Sequence, residues 1–328
     1  MKFPFYRGDG TRQQYESPAK LPISRRSLLL KPEYYIADLG LKDACNVALL
    51  LGQPLLLTGE PGTGKTQFAY SLAWELGFDP PLKFETKSTS TARDLFYTYD
   101  ALKRFQDAQS GVLSSPLDYI TYQALGLAIL LTRDPAEVEQ ILPSNFAHPG
   151  KVRSVILIDE IDKAPRDFPN DLLNELEHMY FRIPELGNKI IETDPALQPI
   201  VIITSNTEKD LPDAFLRRCI YYDIPFPEHE RLAEIIANRL GLYNGSSNPF
   251  LQDALDLFYQ LRSPQSGLRK KPATAELLGW LLALKTVAGD TPNPLDKLDL
   301  VQATLSSLVK TSEDQEKARQ LVKQWMLQ

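Results

Sequence analysis

Short apolar runs alternate with stretches of helical periodicity over the first two thirds of the chain. Apolar, β-branched runs are typical of parallel strands that are buried on both faces. Such runs, with a more mixed one at 82–87, predict strands at 54–58, 82–87, 155–158, 200–203 and 220–224. Because strands that alternate with helices form a parallel sheet covered on both faces, we predict an α/β fold.

Two segments add to this alternation. Residues 91–109 and 117–131 look helical and are separated by turn residues within 110–116. Two short strand patterns flank a turn at 185–188 and predict a hairpin over 180–192.

After residue 227 the strand signals stop, and only helical patterns follow. The chain is long enough for two domains, at about 150 residues each. We therefore predict an extended lead-in at 1–33, an α/β core at 34–227 and a smaller all-α domain at 228–328.

Composition narrows the class of protein. The 328 residues are 43% apolar and 24% charged, which is ordinary for a globular protein and excludes a disordered or fibrous chain. A net charge of −6 argues against a nucleic-acid coat or a binder of anionic membranes. Nucleic acid and membranes are therefore unexpected partners.

Location is inferred from what the chain contains. Its two cysteines, Cys45 and Cys219, are too few for a disulfide framework or a zinc site. No apolar stretch approaches the roughly 18 residues of a membrane helix. A twin-arginine-like run at 24–31 is followed at once by polar residues and proline, so we predict no export signal and a cytoplasmic location.

Residues 59–66 fit the pattern G-x-x-x-x-G-K-[ST], in which glycines let the backbone wrap closely around phosphates. The following helix N-terminus favours negative charge, Lys65 reaches the outer phosphates, and the Thr66 hydroxyl can ligate Mg²⁺. A glycine-rich turn that binds nothing is the alternative, which the strand before and the helix after disfavour. The candidate nucleotide-binding residues are Gly59, Glu60, Pro61, Gly62, Thr63, Gly64, Lys65 and Thr66.

A second element is an apolar strand that ends in two acids. Asp159 at the strand end can hold the shell of a Mg²⁺ ion, and Glu160 can polarise a water for attack. The alternative is that both acids merely cap a turn in a solvated loop. An adjacent Asp-Glu pair favours hydrolysis over transfer to a bound hydroxyl.

Two further elements follow along the chain. Asn206 ends the next apolar strand, where it can face a γ-phosphate, although the polar residues there can also simply begin a turn. Arg217 and Arg218 follow a short predicted helix. They can be solvated, can pair with Asp213, or can act as an arginine finger that offers a cation to a transferring phosphoryl group.

This order of parts resembles the AAA+ ATPases, and more narrowly their MoxR-type branch. Residues 52–62, 159–165 and 211–218 carry the likeness, which spans about 34–290. The resemblance implies a P-loop parallel sheet sandwiched by helices and followed by a smaller all-α lid domain. The hairpin also matches that branch, and the resemblance implies a helical insert within 91–150.

The resemblance also implies roles for the residues of the first three elements. Lys65 and Thr66 would bind ATP·Mg²⁺, and Asp159 would organise the metal. Glu160 would be the catalytic base and Asn206 the first sensor.

Other roles follow from the resemblance alone. Arg218 would be a finger acting in trans, with Arg217 as second choice. Residues 267–274 match the second-sensor region but depart from its usual Pro-Arg-Ala-Ser pattern, so either Arg269 or Lys271 can serve, with Pro272 in a first helical turn. A solvated basic cluster is the alternative.

Tyr35 and Ile36 precede the first helix, where the family holds adenine. Packing against the core is the alternative interpretation of these two residues.

The implied function is hydrolysis of ATP to ADP and phosphate by a ring oligomer, a hexamer by resemblance, with ATP and Mg²⁺ as cofactors. Such a ring would remodel a client, as members that act with von Willebrand factor A domain proteins do. The alternatives are a nucleic-acid motor or loader, which the acidic charge disfavours, and a nucleotide-gated switch without turnover.

Overall fold

The computed structural model describes residues 31–111, 115–143, 146–206, 209–241, 248–289 and 291–327. Most of the predicted lead-in at 1–33 lies outside these residues. Two compact units form. The larger consists of Ala37–Glu60 and Gly64–Pro225, and the smaller of Pro61–Thr63 with the described residues before 37 and after 225. Residues up to Ile36 pack with the smaller unit, whereas the predicted core began at 34.

Strands and helices alternate as the sequence pattern indicates. The strands in the described residues are β1 Leu55–Thr58, β2 Leu82–Glu85, β3 Tyr97–Tyr99, β4 Ile120–Tyr122, β5 Val155–Asp159, β6 Tyr180–Ile183, β7 Lys189–Glu192, β8 Ile200–Thr204 and β9 Ile220–Asp223. The helices of the larger unit are α1 Leu39–Leu51, α2 Lys65–Glu75, α3 Ala101–Gln109, α4 Ala124–Leu131, α5 Pro135–Val138, α6 Phe168–Asp171, α7 Leu173–His178 and α8 Asp213–Leu216. Those of the smaller unit are α9 His229–Leu240, α10 Pro249–Arg262, α11 Thr274–Ala288, α12 Leu298–Leu308 and α13 Ser312–Trp325.

A five-stranded parallel sheet forms the centre of the larger unit, in the order β2-β5-β8-β1-β9. All five predicted strands are present in it, and β1 and β5 are buried along their whole length. Since the strands are parallel, their carboxyl ends meet at one edge of the sheet. We refer to this edge, where Thr58, Asp159 and Thr204 end their strands, as the carboxyl edge.

The insert was predicted as helical, and this prediction is wrong in part. Helices α3 and α4 lie in it, but β3 and β4 pair as an antiparallel ribbon. Along each of these strands a buried residue is followed by an exposed threonine, which is the period of a half-buried strand rather than of a helix. Aromatic and β-branched residues such as Tyr97 and Ile120 favour that conformation.

The predicted hairpin is confirmed as the antiparallel pair β6–β7. Its Phe181 ring stacks on Phe96 at a centroid distance of 5.5 Å and meets Tyr122 edge-on at 6.2 Å. These aromatic contacts join the hairpin to the insert, and both belong to the same hydrophobic core as the sheet.

The smaller unit is helical and has its own core. Helices α10, α11 and α12 bury leucines around Trp280, whose indole Nε1 donates to Thr304 Oγ1 at 3.0 Å. Asp314 in α13 is fully buried, and its carboxylate accepts the backbone N–H groups of Arg269 and Lys270 at 2.9 and 3.0 Å. None of the described helices is both long and apolar enough to cross a membrane.

Gly126 in α4 gives a test of the packing within the insert. A Cβ atom there would lie 2.0 Å from the Phe96 carbonyl oxygen, which already accepts the Gln123 N–H at 2.8 Å. We expect Gly126→Ala to lower the free energy of unfolding of the larger unit by about 2 kcal/mol or more, because backbone must move. Urea denaturation followed by circular dichroism measures the change.

The matched control is Gly279→Ala in α11, where a Cβ would meet nothing within 4 Å. That substitution should leave stability unchanged or raise it by up to about 1 kcal/mol, since alanine favours helix. A Gly126→Ala chain as stable as the wild type would contradict the close contact with Phe96.

Candidate active site

The phosphate-loop pattern connects β1 to α2, as predicted. Gly59, Gly62 and Gly64 have φ of 133°, 83° and 97°, values that side chains rarely adopt. Helix α2 begins at Lys65, so its first N–H groups point into the loop. A helix N-terminus behind a glycine loop attracts anionic phosphates.

Lys65 is folded back on this loop. Its ammonium donates to the carbonyl oxygens of Gly59 at 2.8 Å and Glu60 at 3.0 Å, and the residue is only 6% exposed. Burial lowers the pKa of Lys65, whereas the charges of Asp162 and Asp159 oppose that shift. The ammonium therefore lies within electrostatic reach of the acids at the carboxyl edge.

Asp159 occupies the centre of this edge. Its Oδ1 accepts the hydroxyls of Thr66 at 2.8 Å and Thr204 at 2.7 Å, and its Oδ2 pairs with the Lys83 ammonium at 2.9 Å. Burial raises the pKa of Asp159, but the bonds from Thr204, Lys83 and Thr66 outweigh it and hold that pKa below its usual range. The carboxylate is therefore ionised at neutral pH.

Glu160 has φ of 56° and ψ of 54°, the left-handed conformation that is costly for a residue with a side chain. Its N–H donates to Thr204 Oγ1 at 2.9 Å, which fixes this turn against β8. The Glu160 carboxylate accepts Asn206 Nδ2 at 3.0 Å on Oε1 and pairs with Lys163 on Oε2. Strained backbone of this kind is concentrated at functional sites.

Asn206, which contacts the Glu160 carboxylate, is itself fixed by a second acid. Its N–H lies 3.2 Å from both carboxylate oxygens of Asp162, a residue that is 2% exposed. The structure thus brings Lys65, Thr66, Glu160 and Asn206 together with Asp159 at one edge of the sheet.

Arg217 and Arg218 lie at the opposite end of the strands from the carboxyl edge, where the strands begin. They precede β9, whose first N–H, that of Ile220, donates to the Pro54 oxygen just before β1. The Arg218 Nε donates to Glu177 Oε2 at 2.9 Å. β1 alone separates the two edges by about 10 Å at 3.3 Å per residue, so Arg218 is not brought to its own chain's phosphate loop.

The second-sensor candidates lie in the smaller unit. The Arg269 side chain is 75% exposed and pairs with Glu313 at 3.0 Å, and Lys271 is exposed. Helix α11 begins at Thr274, so the placement of Pro272 in its first turn was wrong; Ala273 is the N-cap, and its N–H is satisfied by the Glu276 carboxylate.

The adenine candidates, Tyr35 and Ile36, are half-buried. Both belong to the smaller unit by their contacts. Their role stays a prediction.

Three residues of the site were not anticipated. Lys83 lies inside a predicted strand, and only the pairing of β2 with β5, which sets Glu85 opposite Asp159, brings it to the carboxyl edge. Thr204 looked like the start of a turn, although its position directly after an apolar run was a usable signal. Lys163, in the turn after Glu160, had no signal of its own.

The oxygens present fit a magnesium nucleotide. Mg²⁺ prefers oxygen ligands, keeps several waters, and is usually held by one or two protein groups together with substrate phosphates. The Thr66 hydroxyl and the Asp159 carboxylate lie 2.8 Å apart beside the glycine loop and supply such groups. A parallel sheet with this loop and an Asp-Glu turn defines a P-loop nucleoside triphosphatase.

Residues 55–227 match the sequence profile of the ATPase family associated with various cellular activities (AAA). The match covers more than half of the 328 residues, and the chain belongs to this family. Membership implies nucleotide binding and ATP hydrolysis in general terms.

Among the solved structures that are similar to the chain, two illustrate the likeness. The Holliday junction branch migration motor RuvB of Thermotoga maritima is 17% identical, with a TM-score of 0.42, over 85% of this chain and 72% of that chain. A proposed ATPase of Cytophaga hutchinsonii is 15% identical, with a TM-score of 0.40, over 92% and 93%. No curated protein gives a significant match to the sequence.

Lys65 provides the direct test of nucleotide binding. We expect Lys65→Ala to weaken ATP binding about 100-fold or more, because it removes the charged donor of the loop, and hydrogen bonds to charged groups contribute about 1.5–3 kcal/mol each. Isothermal titration with ATP measures the affinity. The exposed Lys42→Ala in α1 is the matched control, and unchanged affinity in Lys65→Ala would contradict the role of this lysine.

Proposed function

We propose that the chain is a MoxR-type ATPase that hydrolyses ATP to ADP and phosphate and acts as a ring. One observation carries the hydrolytic part of the proposal. The Glu160 carboxylate is fixed by Asn206 directly after Asp159, at the edge of the sheet from which the phosphate loop emerges. A carboxylate so placed suits a general base for a water that attacks the terminal phosphate.

The residues would divide the reaction among them. The loop N–H groups and Lys65 would bind the phosphates, while Thr66 and Asp159 would hold the metal ion. When bound, Mg²⁺ would neutralise charge on the phosphate oxygens. Glu160 Oε2 is paired with Lys163 in this structure, and loosening of that pair would make this oxygen a stronger base toward water.

The Glu160→Gln substitution separates binding from hydrolysis. We expect ATP affinity to persist and turnover to fall about 10²–10⁴-fold, because an amide cannot accept the proton of the water. A phosphate-release assay beside a titration with ATP measures both quantities. Wild-type turnover in this variant would contradict the assignment of Glu160 as base.

The position of the arginines supports the proposal of a ring. Arg218 lies at the edge of the sheet opposite Asp159, and its guanidinium contacts Glu177 and the Ala214 carbonyl oxygen. A finger at this position serves only a nucleotide bound by a neighbouring copy. We therefore propose trans action by Arg218, with Arg217 as the alternative, in a hexamer by resemblance to AAA+ rings.

Mixing inactive chains tests this arrangement. Arg218→Ala should keep ATP affinity and lose turnover by about 10³-fold or more, as arginine fingers do. Mixed with an inactive Glu160→Gln chain it should recover part of the activity, because some interfaces then contain both intact groups. Arg217→Ala discriminates between the two arginines: it should stay active if Arg218 is the finger, and inactivity of Arg217→Ala with an active Arg218→Ala would assign the role to Arg217.

Concentration dependence completes the test of the ring. Turnover per subunit should rise as rings form. A monomer whose turnover does not depend on concentration, or mixtures that recover nothing, would exclude trans action.

For the second sensor we propose Arg269, with Lys271 as the alternative. The Arg269 guanidinium is mostly exposed and its pair with Glu313 is a surface pair, which contributes little and is readily exchanged for a phosphate. Tyr35 and Ile36 remain our proposal for the adenine contacts.

The client function rests on the likeness to the MoxR-type branch. The hairpin β6–β7 and the insert with α3 and α4 are the features that support it here. We propose that ATP turnover remodels a client protein, such as one with a von Willebrand factor A domain, and that this occurs in the cytoplasm.

A further inference from the structure

The Lys83 ammonium on the outer strand β2 forms ion pairs with two carboxylates, those of Asp159 and Glu85. Its ammonium lies 2.9 Å from Asp159 Oδ2 and 2.7 Å from Glu85 Oε1. Strand β2 is the edge strand beside β5, and Lys83 and Glu85 are two residues apart on one face of it. The lysine therefore reaches along its own strand and across to the carboxyl edge at the same time.

The second carboxylate oxygen of Asp159, Oδ2, has this lysine as its partner. Both hydroxyl donors, Thr66 and Thr204, bind Oδ1, whereas Oδ2 pairs with Lys83 among the residues that the structure describes. The Asp159 side chain is only 11% exposed, and a buried ionised carboxylate without a partner is strongly unfavourable. The Lys83 ammonium thus supplies positive charge beside this carboxylate, as a bound metal ion would.

The two partners of Lys83 differ in burial. The Glu85 side chain is 70% exposed, whereas that of Asp159 is nearly buried. A lysine released from Asp159 therefore keeps an ion-pair partner on its own strand, in water. Its flexible four-carbon stem allows this exchange without a change in the backbone.

We propose that Lys83 is a positioning residue that neutralises Asp159 when no nucleotide is bound and competes with the divalent cation for the negative charge of that carboxylate, withdrawing toward Glu85 when the metal nucleotide binds. The inference rests on the proposed function in one respect, that Asp159 serves a metal nucleotide. It goes beyond that function because it assigns a metal competitor outside the phosphate-loop and Asp-Glu motifs.

Removal of the Lys83 charge should have two effects on the equilibrium between the metal-free and the metal-bound chain. Without Lys83 the nucleotide-free chain keeps a buried carboxylate that lacks its ion-pair partner, and the incoming cation no longer has this ammonium to displace. Both effects favour the metal-bound state. The nucleotide-free chain should therefore become less stable while its affinity for the metal nucleotide increases.

The experiment measures Mn²⁺ binding in the presence of saturating ADP, from the loss of the electron paramagnetic resonance signal of free Mn²⁺. We expect Lys83→Met to lower the Kd for Mn²⁺ about tenfold, which corresponds to about 1.4 kcal/mol. The melting temperature of the nucleotide-free variant should fall below that of the wild type. Mn²⁺·ADP should raise the melting temperature of the variant by more than it raises that of the wild type.

Three further variants make the test specific. Lys83→Arg retains the charge and should restore a Kd near that of the wild type. Lys87→Met removes an exposed lysine just beyond β2 and should change nothing. Glu85→Gln leaves Lys83 with Asp159 alone and should weaken Mn²⁺ binding about two- to threefold, as expected for an exposed partner. This last variant also serves if Lys83→Met does not fold.

The outcomes separate the two proposals. A wild-type chain that retains Mn²⁺ with ADP, together with a Lys83→Met chain whose Kd is unchanged or higher, would overturn the competition while leaving the nucleotide site intact. The same holds if Glu85→Gln strengthens Mn²⁺ binding. A wild-type chain that retains no Mn²⁺ with ADP would overturn the proposed function itself, and the role of Lys83 with it.

Discussion

The buried carboxylate of Asp159 is the constraint on which the candidate active site depends. A charge that leaves water must be compensated by hydrogen bonds or by opposite charge. Here the compensation comes from three other elements, through Thr66 on α2, Thr204 on β8 and Lys83 on β2. These elements must be in register with β5 for the site to be stable. The same register fixes the phosphate loop beside the acid, because Thr66 belongs to the first turn of the helix that follows the loop.

The turn at Glu160 depends on the same hydrogen bonds that stabilise the Asp159 carboxylate. Thr204 donates to Asp159 and accepts the N–H of Glu160, so one hydroxyl ties the carboxylate to the left-handed residue after it. The turn directs the Glu160 side chain toward Asn206 and Lys163. A strained residue at this position thus presents an oriented carboxylate, and the hydrogen bonds of buried neighbours maintain the strain.

Much of the fold could be predicted from the sequence because the strands of a buried parallel sheet have a strong local signal. The predictions failed where the local signal was ambiguous or short. The insert contains apolar and aromatic residues that fit a helix or a strand, and packing of Tyr97 and Ile120 into the core decided for a ribbon. Helix α11 begins two residues after Pro272, since the Glu276 carboxylate caps the chain at Ala273.

By itself the sequence determined the elements whose chemistry is local: the glycine loop, the Asp-Glu turn, the apolar strands and the family to which they belong. The tertiary structure alone decided which residues that are distant in sequence form ion pairs. Lys83 is 76 positions from Asp159 in the chain, and no spacing rule links them, because a lysine on an edge strand looks like any solvated lysine. Only strand order and register put its ammonium on the buried carboxylate. For the same reason only the fold places Arg218 at the opposite edge of the sheet, since the direction of β9 follows from its pairing with β1.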